Sequence, residues 1–240
     1  MTFSCRNSLL ASLEPAVVLR AGAKIQRTTL RRGSHVQGIG ALVQWVWFPE
    51  DALICVASET LSGESLSGGM IGWNGVYGAF EACGSRMSFT RATVQIAGDA
   101  YRIRADHYRE LFDRSSALRT SIHKHVEAML VESRQLVACA ALHSVESRLC
   151  RALLDASERS HGRNLLSITQ ESMAQMLGVQ RTTVAVAASA LQKSGFIRSG
   201  RGTIELLNLA RIEAASCACR QTIAYAVSAI YASREEACEA

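Results

Sequence analysis

The chain has 240 residues, 48% of them hydrophobic and 20% charged, with a formal net charge of +5. That length admits one large domain or two modest ones, and the composition is that of a folded protein. No run of eighteen or more apolar residues occurs, which argues against a membrane span, and Leu9, Leu10 and Leu13 lack the sustained core of a secretory signal. The expected location is cytoplasmic. The charge is unevenly placed. Between Arg148 and Arg211 nine Lys/Arg face four acidic residues, so this segment alone carries the net charge of the whole chain. A basic segment of this kind attracts phosphate backbones whatever their sequence, although a solvated basic face would look the same.

From the N-terminus, a short leading helix precedes a glycine-rich zone. Twelve of the 17 glycines lie between Gly22 and Gly98. They separate short apolar runs at Val17–Leu19, Lys24–Leu30, Gln44–Phe48, Leu53–Val56, Thr93–Ile96 and Tyr101–Ile103. Short strands between Gly-rich turns predict a jelly-roll-type sandwich or barrel. In the dense patch Trp45-Val46-Trp47-Phe48 the alternation is imperfect, which predicts packing on both faces. Its tryptophans are read as core rather than as a ligand cage.

From Asp106 to about Ser157 there is neither glycine nor proline, and the periodicity is helical. Ile122, Val126, Met129, Ser133, Leu136 and Ala140 follow one another at spacings of 4, 3, 4, 3 and 4. That is a heptad seam, suited to a parallel helix pair in a homodimer. Packing against the chain's own sandwich is the alternative. Val145, Leu149, Ala152 and Leu153 then define an amphipathic helix closed near His161-Gly162.

Residues 170–187 predict a helix, a turn at Gly178 and a second helix. Met173, Ala174, Leu177, Val179, Val184 and Ala187 point inward, while Gln180, Arg181, Thr182 and Thr183 face out. Ser167 or Thr169 can cap the first helix. Phe196-Ile197-Arg198, a Ser-Gly-Arg-Gly turn and Thr203–Leu207 predict a two-stranded wing, and a last helix starts after Asn208 with Leu209, Ile212 and Ala215. This is the pattern of a winged helix-turn-helix that offers one helix end to the DNA major groove. Arg181 can reach guanine O6 and N7, Thr182 and Thr183 base edges, and Gln180 adenine or the backbone. Thr169, Gln170 and the amides beside them suit phosphates, as does Arg201 at the wing tip.

Eight cysteines stand at positions 5, 55, 83, 139, 150, 217, 219 and 238. None forms a CxxC pair, and no histidine nearby in sequence completes a zinc spacing. Cys217 and Cys219, if both were helical, would point about 200° apart, since successive residues of an α-helix turn by about 100°. The cysteines are read as small buried hydrophobes, with no metal site expected.

The block ITQESMAQMLGVQRTTVAVAASALQKSGFI, followed by GRGTIELLNLARIEA, resembles the DNA-binding signature of the Crp/Fnr family of bacterial transcription regulators. Ala105–Leu111 resembles that family's join between sensor roll and long helix, so the resemblance spans nearly the whole chain. It implies an α+β chain in three parts: a cyclic-nucleotide-binding-like β-roll over 1–110, a dimerisation helix over 111–142, and a winged helix-turn-helix with a helical tail over 143–240. It further implies a non-enzymatic homodimer that binds palindromic double-stranded DNA, contacts RNA polymerase when it activates, and answers to a small-molecule effector.

The sensor half departs from the family's cyclic-nucleotide binders. Gly68-Gly69 and Arg86-Met87 stand where those members carry Gly-Glu for the ribose and Arg-Ser for the phosphate. Gly69 brings no carboxylate and Met87 no hydroxyl, so a cyclic nucleotide loses its partners and only Arg86 survives as a candidate for an anionic effector. The iron–sulphur branch needs several N-terminal cysteines, and Cys5 stands alone there. The six histidines show no haem-ligand pairing. The effector stays unidentified. The competing reading is a non-catalytic scaffold whose roll binds a partner while the helical hairpin merely docks. No catalytic triad, carboxylate pair or phosphate loop supports an enzyme, since Gly68–Gly72 lacks the lysine a nucleotide loop requires.

Overall fold

A computed structural model describes residues 5–13 and 24–232. The strand expected at Val17–Leu19 lies outside the described residues. A short helix α1 (Ser8–Ala11) is capped by Asn7, whose Oδ1 accepts from Leu10 N at 3.0 Å. Seven strands follow: β1 (Ile25–Leu30), β2 (His35–Gln37), β3 (Trp45–Pro49), β4 (Leu53–Glu59), β5 (Ser65–Ile71), β6 (Arg91–Ile96) and β7 (Gly98–Arg104). They form two antiparallel sheets, β1-β7-β3 and β2-β6-β4-β5. Strands β2 and β5 and the short helix α2 (Ala79–Cys83) were not anticipated from sequence.

The two sheets enclose one core, with Leu30, Trp47, Ile54, Ile71, Val94 and Ala100 drawn from both. The outer face of β1-β7-β3 is covered in turn. Val46, Phe48 and Ile103 pack with Leu10, Ala79, Tyr108, Leu118 and Ile122 in a second core. Successive strand residues point to opposite faces, so β3 sends Trp47 into the roll and Val46 and Phe48 outward, and both faces are buried. That explains the broken alternation in the sequence. Trp45 is half-buried beneath the Arg102 guanidinium, 4.0 Å from the ring centroid.

Helix α3 (Ala105–Arg114) leads into the long helix α4 (Ser116–Leu142), which Ser115 caps by accepting from Leu118 N. His143 ends α4, and Ser144 caps α5 (Val145–Arg159). Positive φ at His161 and Gly162 turns the chain after α5, where the sequence placed its end. The remaining elements are β8 (Leu165–Leu166), α6 (Gln170–Leu177), α7 (Arg181–Lys193), β9 (Ile197–Gly200), β10 (Thr203–Leu206), α8 (Leu209–Ala215) and α9 (Cys219–Ala232). The predicted last helix is thus two helices, broken at Ser216–Ala218, and the second packs back along α4. Among the described residues no helix is long and apolar enough to cross a membrane.

A third core joins roll and C-terminal helices. Leu53, Met70 and Ile96 of the roll pack in one cluster with Leu149, Leu153, Met173, Val184 and Ile204. The junction is close at Gly72, where an added Cβ would fall on the Arg159 carbonyl. Trp73 Nε1 donates to Glu158 O at 2.7 Å, His161 Nε2 lies 2.7 Å from Glu50 O, and Arg159 bridges to Met70 O and Glu132. The N-terminal and C-terminal parts are locked together by main-chain contacts as well as by apolar packing.

Candidate DNA-recognition surface and ligand cavity

The helical hairpin α6–α7 is held from inside. Met173, Leu177, Val184, Ala187 and Leu191 are buried, and Ala174 is 5% exposed at the crossing. Thr169 caps α6, its Oγ1 accepting from Ser172 N at 3.0 Å. Gly178 turns the chain at φ +62°, a left-handed conformation that costs other residues. A Cβ there would also lie 2.8 Å from Leu66 Cδ1 of β5, so the hairpin's turn rests against the roll.

Helix α7 opens outward. Gln180, Arg181, Thr182 and Thr183 are all exposed, and Gln180 makes no capping bond with its side chain. No acid lies in the first turn. The first amides of a helix have no intrahelical acceptor, so this end carries free donors and a partial positive charge. The outward face continues to Val186, 70% exposed, and to Ser189. Sequence reasoning stopped at Thr183, although the 4 and 3 spacings from Thr182 to Val186 and Ser189 carry the same face onward. Gln170 is half-buried at the start of α6. In the wing, β8-β10-β9 form a small antiparallel sheet, Arg198 pairs with Glu205 at 2.6 Å, and Arg201 stands exposed at the turn.

The predicted seam on α4 divides. Ile122 is buried in its own chain's second core; Val126 packs against that core, half-buried. Met129 and Leu136 are half-buried, and Ser133 and Ala140 are exposed. Ile122 is therefore unavailable to a partner, because the roll and α3 already cover it. The apolar side chains left in the open lie one position further round: Leu130 at 50%, Val137 at 72% and, at the helix end, Leu142 at 76% exposed.

A cavity of about 410 Å³ lies between β4 and β5, α4, the end of α5 and α9. Gly68 and Gly69 line it, and Met129 and Ser133 enter it from α4. Its carboxylates at Glu132 and Glu158 are paired with Arg159 and Arg220. Two acceptors remain without partners, Asn74 Oδ1 and Glu81 Oε2, and burial raises the Glu81 carboxyl above its usual pKa. His125 is buried there, its pKa pushed down to about 4 by burial, so the ring is neutral. Val76 N–H donates to its Nε2 at 3.4 Å, which leaves the ring proton on Nδ1. Arg86, the sequence candidate for an anionic effector, is exposed at φ +65° in the turn after α2 and does not line this cavity.

The expectation about the cysteines also needs correction. Cys217 lies ahead of α9 rather than within a helix with Cys219, so the two need not diverge. The return of α9 along α4 brings both beside Cys139 and His143, with all four ligand atoms within 4.8 Å of one another. His143 is distant from Cys217 and Cys219 in sequence and near them in space.

Comparison with known proteins follows the same division. The family model of a Crp-like helix-turn-helix domain matches residues 147–215. Transcriptional regulator SdrP of Thermus thermophilus is 32% identical over 91 residues, which is 36% of this chain and 45% of that protein, so less than half of that relative's length is matched. Across most of the chain the fold resembles FixK2 from Bradyrhizobium japonicum, with TM-score 0.68, 14% identity and coverage of 80% of this chain and 98% of that one. It equally resembles a regulator of the Crp/Fnr family from Eubacterium rectale, with TM-score 0.67, 17% identity and coverage of 87% and 97%. Residues 147–215 thus match a Crp-like helix-turn-helix domain, on a chain whose overall fold resembles those two solved structures.

Proposed function

We propose that this chain is a sequence-specific DNA-binding transcription regulator that works as a homodimer under the control of a small molecule held in the roll-side cavity. The observation that carries the reading is the outward, acid-free N-terminal end of α7, presenting Arg181, Thr182 and Thr183 from a buried hairpin. That end suits base edges, with Arg181 on guanine and Val186 against a thymine methyl. Thr169, Gln170, Gln180 and Arg201 suit the phosphates on either side. Thr169 already accepts a bond as the cap of α6, and its hydroxyl shares a second with the Ser172 hydroxyl at 2.9 Å.

For the dimer, the exposed Leu130 and Val137 offer a ridge along α4, flanked by Ser133 and Ala140, where a second copy of the helix can approach closely. For the effector, the cavity favours a largely apolar molecule with a few hydrogen-bonding groups. Asn74 Oδ1, Glu81 Oε2 and Arg220 Nε lack hydrogen-bond partners, its arginines are held in ion pairs, and Gly69 offers nothing to a ribose. An anionic cyclic nucleotide fits that lining poorly. The cytoplasmic location and a contact with RNA polymerase belong to this reading and rest on it.

The DNA half is tested with two variants on a bound site and on its scrambled counterpart. Arg181→Ala should cost about 1–3 kcal/mol on the true site and little on the scrambled one. Arg201→Ala should weaken both alike and lower the salt slope by about 1. Identical behaviour of the two variants on both DNAs would refute the assigned roles.

A further inference from the structure

The small cluster formed by Cys139, Cys217 and Cys219 is anomalous as hydrophobic packing. Buried cysteines ordinarily sit among larger apolar side chains, as Cys150 does in the core shared by roll and C-terminal helices. These three, at 1%, 7% and 3% exposure, form a separate core with no other buried apolar residue in it. The fourth neighbour is a histidine. Cys139 lies in the last turn of α4, and His143 is the residue that ends that helix, its N–H donating to Cys139 O at 3.2 Å. Cys217 and Cys219 flank the start of α9, and Cys217 N–H donates to Ser147 O of α5 at 3.4 Å.

Distances among the four ligand atoms match one mononuclear tetrahedral centre. Cys139 Sγ lies 3.5 Å from Cys217 Sγ, and Cys219 Sγ lies 3.4 Å from His143 Nδ1. A zinc ion with its ordinary bond lengths separates two thiolates by about 3.8 Å and a thiolate from an imidazole nitrogen by about 3.5 Å. The whole set spans no more than 4.8 Å, too tight for the terminal thiolates of a cluster of several irons. A disulfide between Cys139 and Cys217 would leave the convergence of Cys219 and His143 unexplained.

The surroundings suit a charged centre as well. Three thiolates around a divalent ion carry a net single negative charge. The guanidinium of Arg151, 6% exposed and paired with Asp155 at 2.7 Å, also lies beside Cys139 and Cys217, and its Nε is buried without a hydrogen-bond partner. Gln135 Nε2 donates toward Cys219 Sγ at 3.2 Å, the kind of outer contact that orients a ligand.

We propose that Cys139, His143, Cys217 and Cys219 form a closed site for one thiophilic divalent metal ion of the zinc class. The ion ties the end of the long helix to the segment between α8 and α9, across the hinge at His143–Ser144. With four protein ligands there is no open position for a substrate, so its role is structural. It sets the angle at which the DNA-binding domain leaves α4.

The test uses the full chain, stripped with a chelator under reducing conditions and titrated with cobalt(II). One equivalent should saturate the ligand-field bands of a tetrahedral thiolate site, and one equivalent of zinc(II) should abolish them and raise the unfolding midpoint. Cys217→Ser and Cys219→Ser should lose those bands. Gln135→Ala, which leaves all four ligands in place, should bind zinc about 10-fold to 100-fold more weakly. Cys83→Ser, at an exposed cysteine outside the cluster, should behave as the parent does. The proposal is overturned if the parent chain shows no saturable tetrahedral spectrum, or if the spectrum survives Cys217→Ser. It is equally overturned if the chain is purified with iron and acid-labile sulfide on these residues. A Cys139–Cys217 disulfide with no metal uptake after its reduction would show a redox pair instead.

Discussion

Replacing Gly72 by alanine strikes the junction between roll and DNA-binding domain at its tightest point. The new Cβ would fall on the Arg159 carbonyl oxygen and lie 2.8 Å from Arg159 Cβ and 2.9 Å from its carbonyl carbon. Two of those three atoms are main chain, so no rotamer change relieves the overlap, and the end of β5 must part from the end of α5. Overpacking of this kind costs about 1–3 kcal/mol. Separation also strains the bonds from Trp73 Nε1 to Glu158 O and from Arg159 to Met70 O, each worth about 1 kcal/mol. The expected loss is about 2–5 kcal/mol in urea denaturation, with earlier proteolytic cleavage near residues 160–164. A Gly72→Ala chain within about 0.5 kcal/mol of the parent, a change ordinary for a surface substitution, would refute the claim that this contact holds the two parts together.

Residues on the two sides of α4 should separate cleanly. Val137→Glu, on the open ridge, should turn a dimer into a monomer in sedimentation while leaving chain stability within about 0.5 kcal/mol. Ile122→Ala should leave association intact and cost about 2–5 kcal/mol of stability, because it empties part of the chain's own core. The opposite assignment would restore the seam that the heptad spacing suggested. His125 should make stability pH-dependent. Its folded pKa of about 4 lies below the ordinary 6.5, so the unfolded chain binds more protons between those values. Its contribution is whole above about pH 6.5 and falls away toward pH 4, by about 2 kcal/mol between pH 7 and 5. Arg159 and Glu132 face the same ring and oppose one another in sign. Urea midpoints of the parent and His125→Gln that decline equally over that range would rule this ring out as the source.

The helix-turn-helix was legible in sequence because its signals are local. Apolar spacing, the cap at Thr169 and the left-handed turn at Gly178 all lie within one stretch, and each is seen as expected. Strand β5 was missed because Ser67, Gly68 and Gly69 offer little β-propensity, and pairing with β4 supplies what the residues lack. The heptad on α4 was real as periodicity, but spacing states only that a face is apolar. Whether a partner helix or the chain's own roll covers it is decided by tertiary packing, and for Ile122 the roll does. Arg86 stands apart from the cavity because it sits in a turn of positive φ after α2, which spacing along the sequence does not specify. The Cys139–His143–Cys217–Cys219 convergence was invisible because it requires α9 to double back, which depends on the break after α8.

The central property proposed for the protein is that the α7 ends of two copies read DNA as a symmetric pair. Selection of bound sequences from a random DNA pool by the purified full chain measures this directly. The prediction is an inverted repeat whose half-sites lie about one helical turn apart, roughly 10–10.5 base pairs centre to centre or a multiple of it. It should be lost with Arg181→Ala. Recovery of no enriched sequence, or of a motif without two-fold symmetry that survives that substitution, would contradict it.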